Sequence, residues 1–114
     1  MNFTIDEIGD VRIFRLKEDR LDSAISADLK AQLLILVDGE GRKLLIDMTQ
    51  VEYADSSGLG ALLLGLRQAR DNGGKFALFG AQKRVKSLIR IAHLDDVLTN
   101  YETEQDALNA WKES

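Results

Sequence analysis

Apolar and polar residues alternate from the beginning of the chain. Phe3 and Ile5 alternate with Asn2, Thr4 and Asp6, and beyond Ile8-Gly9-Asp10 comes Val11-Arg12-Ile13-Phe14-Arg15-Leu16. Period-two patterning on both sides of a Gly-Asp pair predicts a β-hairpin with a tight turn. Lys17-Glu18-Asp19-Arg20 is charged throughout and is expected at the surface. Leu21-Asp22-Ser23 then offers capping chemistry for a helix whose stripe is Ile25, Leu29, Leu33 and Leu36, stopped by Asp38-Gly39-Glu40-Gly41. The run from Leu44 to Met48 is apolar at nearly every position, so it is expected as a central strand covered on both faces. Strand, helix and buried strand in that order favour a parallel crossover.

Past Thr49-Gln50-Val51-Glu52-Tyr53, a polar turn becomes a helix in which Leu59, Leu62, Leu63 and Leu66 keep the i, i+3, i+4, i+7 spacing of one face. It should end near Asp71-Asn72-Gly73-Gly74, where glycine can take the left-handed backbone that closes helices. Lys75 to Phe79 reads as a strand, and Val85, Leu88, Ile89 and Ala92 as the apolar side of a helix whose other side carries Lys83, Arg84, Lys86 and Arg90. Val97-Leu98 is a short strand candidate. Thr103 with Asp106 is a capping-box variant opening a last helix with Ala107, Leu108 and Trp111 on its apolar stripe. The order β-β-α-β-α-β-α-β-α describes an α/β fold, one domain over residues 1–114. Its mixed sheet of about four to five strands, an N-terminal hairpin plus parallel crossovers, is covered by about four helices.

Composition narrows the function classes. A net charge of −4 and a pI near 4.9 argue against a non-specific grip on nucleic acid or an anionic membrane surface. With no cysteine, disulfide scaffolds, thiolate metal sites and cysteine nucleophiles are excluded. The N-terminus lacks the basic start and apolar block of a signal peptide, and no apolar run approaches the ~20 residues that span a bilayer. A cytoplasmic location without direct membrane insertion is therefore expected.

The chemistry concentrates at Ala54-Asp55-Ser56-Ser57-Gly58-Leu59-Gly60, where two hydroxyls sit at a strand-to-helix junction. Four backbone N–H groups at a helix start lack intrahelical partners, and Asp and Ser side chains satisfy them, so capping is one reading of all three polar residues. A serine hydrolase would need a base, but the lone histidine is His93 and the Gly-x-Ser-x-Gly elbow is missing. Gly58-Leu59-Gly60 lacks both the third glycine of a dinucleotide loop and a Gly-Lys-Ser/Thr ending. Asp10, Asp22, Asp47 and Asp55 follow no metal-loop spacing. Gly58, Gly60 and Gly65 each weaken a helix interior by up to ~1 kcal/mol, which points to close packing or a partner pressing on this face. The basic cluster of Lys83, Arg84, Lys86 and Arg90, with Arg67 and Arg70, reads either as a solvated helix face or as a dock for an acidic protein.

Tyr53-Ala54-Asp55-Ser56-Ser57-Gly58-Leu59-Gly60, with Leu21-Asp22 upstream, resembles the anti-sigma-factor antagonists, regulatory proteins of the STAS domain family. The same element order spans essentially the full chain. The resemblance implies that Ser56, directly after the aspartate, is the phosphoacceptor, supported by Asp22, Asp55, Ser57 and Gly58. Ser57 stays open as the alternative acceptor. Asp22 matches the family's Leu-Asp motif, although Asp19 stands where a glycine is common. Gly60, Arg67, Lys83 and Arg84 are the candidate partner-docking positions. The implied protein is a non-enzymatic binding module without a cofactor of its own. When unphosphorylated it holds an anti-sigma factor that is also a serine kinase, which releases a sigma factor; the kinase uses ATP, and a serine phosphatase reverses the mark. The same family implies an alternative, a permanent assembly subunit of a membrane lipid-transport complex. Monomer and dimer are equally open.

Overall fold

The computed structural model describes residues 1–112. Its strands are β1 (Phe3–Ile8), β2 (Val11–Leu16), β3 (Arg20–Leu21), β4 (Lys43–Asp47), β5 (Tyr53–Ala54), β6 (Lys75–Phe79) and β7 (Asn100–Tyr101). The helices are α1 (Ser26–Leu36), α2 (Ser56–Asp71), α3 (Lys83–Ile91) and α4 (Glu104–Lys112). The main sheet runs β1-β2-β4-β6-β7, antiparallel only at the hairpin, which turns through Gly9 at φ 61°. This is the mixed α/β architecture that the hydrophobic pattern predicts.

Period-two alternation sorts the central strands between two layers. Phe14, Leu44, Ile46, Phe76 and Leu78 face α1, α2 and α3 and form the larger core with Leu29, Leu33, Leu62 and Val85. Ile13, Leu45, Ala77 and Phe79 face α4, where Ala107 and Trp111 cover them. On that second face Arg15 joins three elements, with its guanidinium 2.7 Å from Asp6, 3.1 Å from Asp47 and 2.8 Å from Glu104. The Asp6 hydrogen bond, then those of Glu104 and Asp47, raise the Arg15 pKa against the opposing effect of burial.

Four details depart from the sequence pattern, the simplest being that Ala92, expected on the apolar side of α3, is exposed just past its end. Val97 and Leu98 form no strand: their N–H groups turn back onto the Leu94 carbonyl, and Leu98 is sealed in the core. The edge strand forms two residues later, because that turn carries the apolar pair inward before the backbone reaches the edge of β6. Asp22 does not cap α1. It closes a turn by accepting the Ala24 N–H on its side chain at 3.0 Å, and α1 begins at Ser26 after Ile25, which makes no side-chain cap bond. Finally, β3 and β5, two residues each, pair in parallel as a separate ribbon that period-two patterning is too coarse to detect.

Candidate functional site

The small ribbon positions the site. Leu21 is paired with Ala54, which sets the next residues, Asp22 and Asp55, at neighbouring strand ends. The Asp55 N–H donates to the Leu21 carbonyl at 3.1 Å, so the chain enters α2 from a fixed point. Asp55 is the N-cap of α2: its Oδ1 accepts the Ser57 N–H at 2.9 Å and the Gly58 N–H at 3.1 Å. Two of the orphan donors of the first turn are thus satisfied by one carboxylate.

That assignment separates the three polar residues. Asp55 does the capping, Ser57 is half-buried, and Ser56 is exposed, with its hydroxyl not needed to close the helix. Gly58 is buried against the ribbon, where a Cβ would stand 2.2 Å from the Leu21 carbonyl oxygen. Gly65 similarly abuts Phe76 and Leu33. Gly60 is different, because a Cβ there would meet nothing within 4 Å. With Arg67 it lies on the stripe of α2 that starts at Ser56, at i, i+4 and i+11, while Leu63 at i+7 is half-buried against the larger core.

A groove of about 600 Å³ runs between the start of α2 and α3. Tyr53, Ala54, Asp55 and Ser56 make one wall and Lys83, Arg84, Ser87, Leu88 and Ile91 the other. The structure therefore brings Ser56, Asp55, Lys83 and Arg84 together, and leaves Gly60 and Arg67 on the adjoining helix stripe. Asp22 lies beside the ribbon, with Arg20 3.3 Å away, and Arg20 also stacks over the Tyr53 ring at 4.4 Å. Sequence patterning alone does not find Tyr53 or Ile91 as groove residues. The signal was nonetheless present: Ile91 lies outside the apolar stripe of α3 and is 73% exposed.

His93 is exposed beyond the end of α3, and it is not part of the groove. The other aspartates are tied up elsewhere, Asp10 by Lys43 at 2.8 Å and Asp47 by Arg15 and Thr49. Among the described residues no cluster of three or more His, Cys, Asp or Glu could hold a metal ion, and no helix is long and apolar enough to cross a membrane.

Comparison with known proteins is consistent across sequence and fold. The family model for the STAS domain matches residues 2–107. The chain is 33% identical over 92 residues to the anti-sigma-B factor antagonist of Listeria monocytogenes, covering 79% of this chain and 81% of that one. It superposes with a TM-score of 0.87 on an anti-sigma-factor antagonist (STAS) domain protein from Planctomyces limnophilus, at 26% identity and over 95% and 96% of the two chains. The phosphorylated form of the Bacillus cell fate determinant SpoIIAA shares the fold at a TM-score of 0.71 and 18% identity, over 96% and 98% of the chains.

Proposed function

The chain belongs to the STAS domain family, and from that premise we propose that it is an anti-sigma-factor antagonist whose binding is controlled by phosphorylation of Ser56. Unphosphorylated, it holds an anti-sigma factor with serine kinase activity in the cytoplasm and so frees a sigma factor. The kinase transfers the γ-phosphoryl group of ATP to the Ser56 Oγ, releasing ADP and the hydroxyl proton, and a phosphatase hydrolyses the ester. The chain itself is a substrate and a ligand, not an enzyme.

The observation that carries this reading is the division of labour at the start of α2. Asp55 caps the helix, so Ser56 is left exposed in the groove and can enter a kinase site without unfolding anything. The half-burial of Ser57 supports Ser56 over its neighbour. The open space over Gly60 supports the α2 stripe, with Arg67, as part of the dock, because no internal packing asks for a glycine there.

The switch acts at the interface. A phosphate adds about −1.5 to −2 charges beside Asp55. Like charges ~4 Å apart repel by about 4 kcal/mol per unit pair at an effective dielectric of 20, and half of that already lowers affinity more than tenfold.

The test is to incubate the chain with ATP and a candidate anti-sigma factor kinase from the same organism, locate the added mass, and measure binding by calorimetry. Ser56→Ala should bind as wild type and gain no phosphate, and Ser56→Asp should bind at least tenfold more weakly. Equal binding by both variants, or mass added at Ser57 alone, rejects the assignment. Co-purification with a transporter ATPase in place of a kinase would favour a permanent assembly role.

A further inference from the structure

The groove wall opposite Ser56 carries two cations without a counter-ion. Lys83 and Arg84 are exposed in the first turn of α3 and have no ion pair or hydrogen bond among the described residues. Arg20 is engaged by Asp22 and Lys86 by Glu102 at 3.6 Å, and Arg90, also unpaired among the described residues, does not line the groove with Ser56. The placement is also unfavourable for the helix. The start of a helix prefers negative charge, yet the first turn of α3 holds no acidic residue and its N-cap, Gln82, makes no side-chain cap bond. A pair of unmatched cations at a positive helix end, facing a hydroxyl across a groove, is a site for an anion.

The start of α2 cannot serve that anion as it stands. Its Ser57 and Gly58 N–H groups are already committed to the Asp55 carboxylate, which also repels further negative charge. Arg20 is held by Asp22 and by the face of Tyr53. The charged groups lining the groove around Ser56 are thus Asp55 on one wall and Lys83 and Arg84 on the other, with the Arg20–Asp22 pair beside the ribbon outside it.

We infer that Lys83 and Arg84 are the internal counter-ion site for a phosphoryl group carried on Ser56, so that phosphorylation bridges the groove from within and withdraws its basic wall from an acidic partner. The inference rests on Ser56 as the phosphoacceptor and adds the means by which the mark acts. Arginine supplies a planar fork that matches two phosphate oxygens, and lysine a mobile point charge. The phosphorylated state then loses partner affinity twice, through repulsion beside Asp55 and through masked cations over Leu88 and Ile91.

The experiment installs phosphoserine at position 56 of the full chain during translation, so no kinase is needed, and follows its second ionisation by phosphorus NMR. That ionisation ordinarily lies near 6. The midpoint should lie about 0.5 to 1 lower in the wild-type background than in the Lys83→Gln/Arg84→Gln double variant, with the gap closing in ~1 M salt. Both substitutions are at exposed positions, and an unchanged amide NMR spectrum outside α3 verifies the fold. Arg67→Gln, three turns along α2, should leave the midpoint unmoved. Identical titration of the wild-type and double-variant backgrounds, or an equal shift from Arg67→Gln, overturns the inference. Failure of any kinase to modify Ser56 would count against the proposed function and leave this titration readable.

Discussion

Gly58 and Gly60 lie two residues apart in the same helix, and alanine at each is expected to move stability in opposite directions. At Gly60 the new methyl group meets nothing within 4 Å. Only the backbone term remains, so Gly60→Ala should stabilise by about 0.5–1 kcal/mol, because glycine loses more freedom than alanine on entering a helix. At Gly58 the same methyl would stand 2.2 Å from the Leu21 carbonyl oxygen, 2.7 Å from Leu21 Cγ and 2.8 Å from its carbonyl carbon. Two of those atoms are backbone in a paired strand and cannot rotate away. Overpacking of this kind costs about 1–3 kcal/mol. Moving the ribbon off α2 also strains the 3.1 Å bond from the Asp55 N–H to the Leu21 carbonyl, for a further ~0.5–1.5 kcal/mol. Set against the helix gain, Gly58→Ala should destabilise by about 1–3 kcal/mol.

Urea denaturation of wild type and both variants, followed by circular dichroism at constant m-value, measures the two changes directly. Gly60→Ala should also raise the melting temperature by roughly 2–4 °C. Partner affinity supplies the second axis. If the α2 stripe is the dock, the more stable Gly60→Ala protein should be the weaker binder. A shift of the same sign at both positions would refute the claim that Leu21, and not helix propensity, decides which glycine is required.

Arg15→Met removes the only cation in contact with Asp6, Asp47 and Glu104 among the described residues, and since Asp47 is only 8% exposed, the variant should lose about 2–3 kcal/mol in the same denaturation assay. His93 follows α3 at φ 59°, with its N–H on Arg90 and the Leu94 N–H on Ile89, a Schellman closure that favours glycine. His93→Gly should therefore stabilise by roughly 1 kcal/mol, read as a higher urea midpoint. The hydrogen bond from Lys43 holds the Asp10 carboxyl below its ordinary value of 3.8. A depressed carboxyl contributes stability above its unfolded pKa and loses it as pH falls through the folded one. Carbon NMR should accordingly place the Asp10 midpoint below 3.8 in wild type and move it upward in Lys43→Met.

Most of the architecture was legible because burial leaves a periodic trace. Leu44 to Met48 reads as a strand covered on both sides, and Leu59, Leu62, Leu63 and Leu66 read as one helix face, because each position reports its own environment. The ribbon of β3 and β5 was not legible, since two residues cannot establish a period, and its only clue was Leu21 buried beside four charged residues. The same ribbon decides the site: it is why Asp55 caps α2 and why Gly58 must be small. Ser56 could be named from the motif, but its freedom from capping could not, because Asp, Ser and Ser are all competent caps and only geometry assigns the bond to Asp55. The groove escaped for a related reason. Periodicity reports which face of α3 is inward, and says nothing about which other segment its outward edge confronts.

The energies that hold the fold and those that would work the switch come from separate sources. The core of α1, α2 and α3 against the sheet is closed by buried leucine, isoleucine and phenylalanine side chains, and Ala54 and Leu88 are the half-buried residues that both pack on it and line the groove. The groove surface is made of an exposed hydroxyl, two unmatched cations and a protruding isoleucine, none of which is sealed in that core. Changes in charge there can alter association by orders of magnitude while shifting folding stability by a few tenths of a kcal/mol, as surface substitutions usually do. Gly58 is a joint between the two systems, since it belongs to the helix that presents Ser56 and is pressed against the strand that fixes the helix. Gly58→Ala should therefore lower binding and stability together, whereas substitution of Ser56 should abolish regulation, and of Lys83 or Arg84 weaken it, in a protein that still folds.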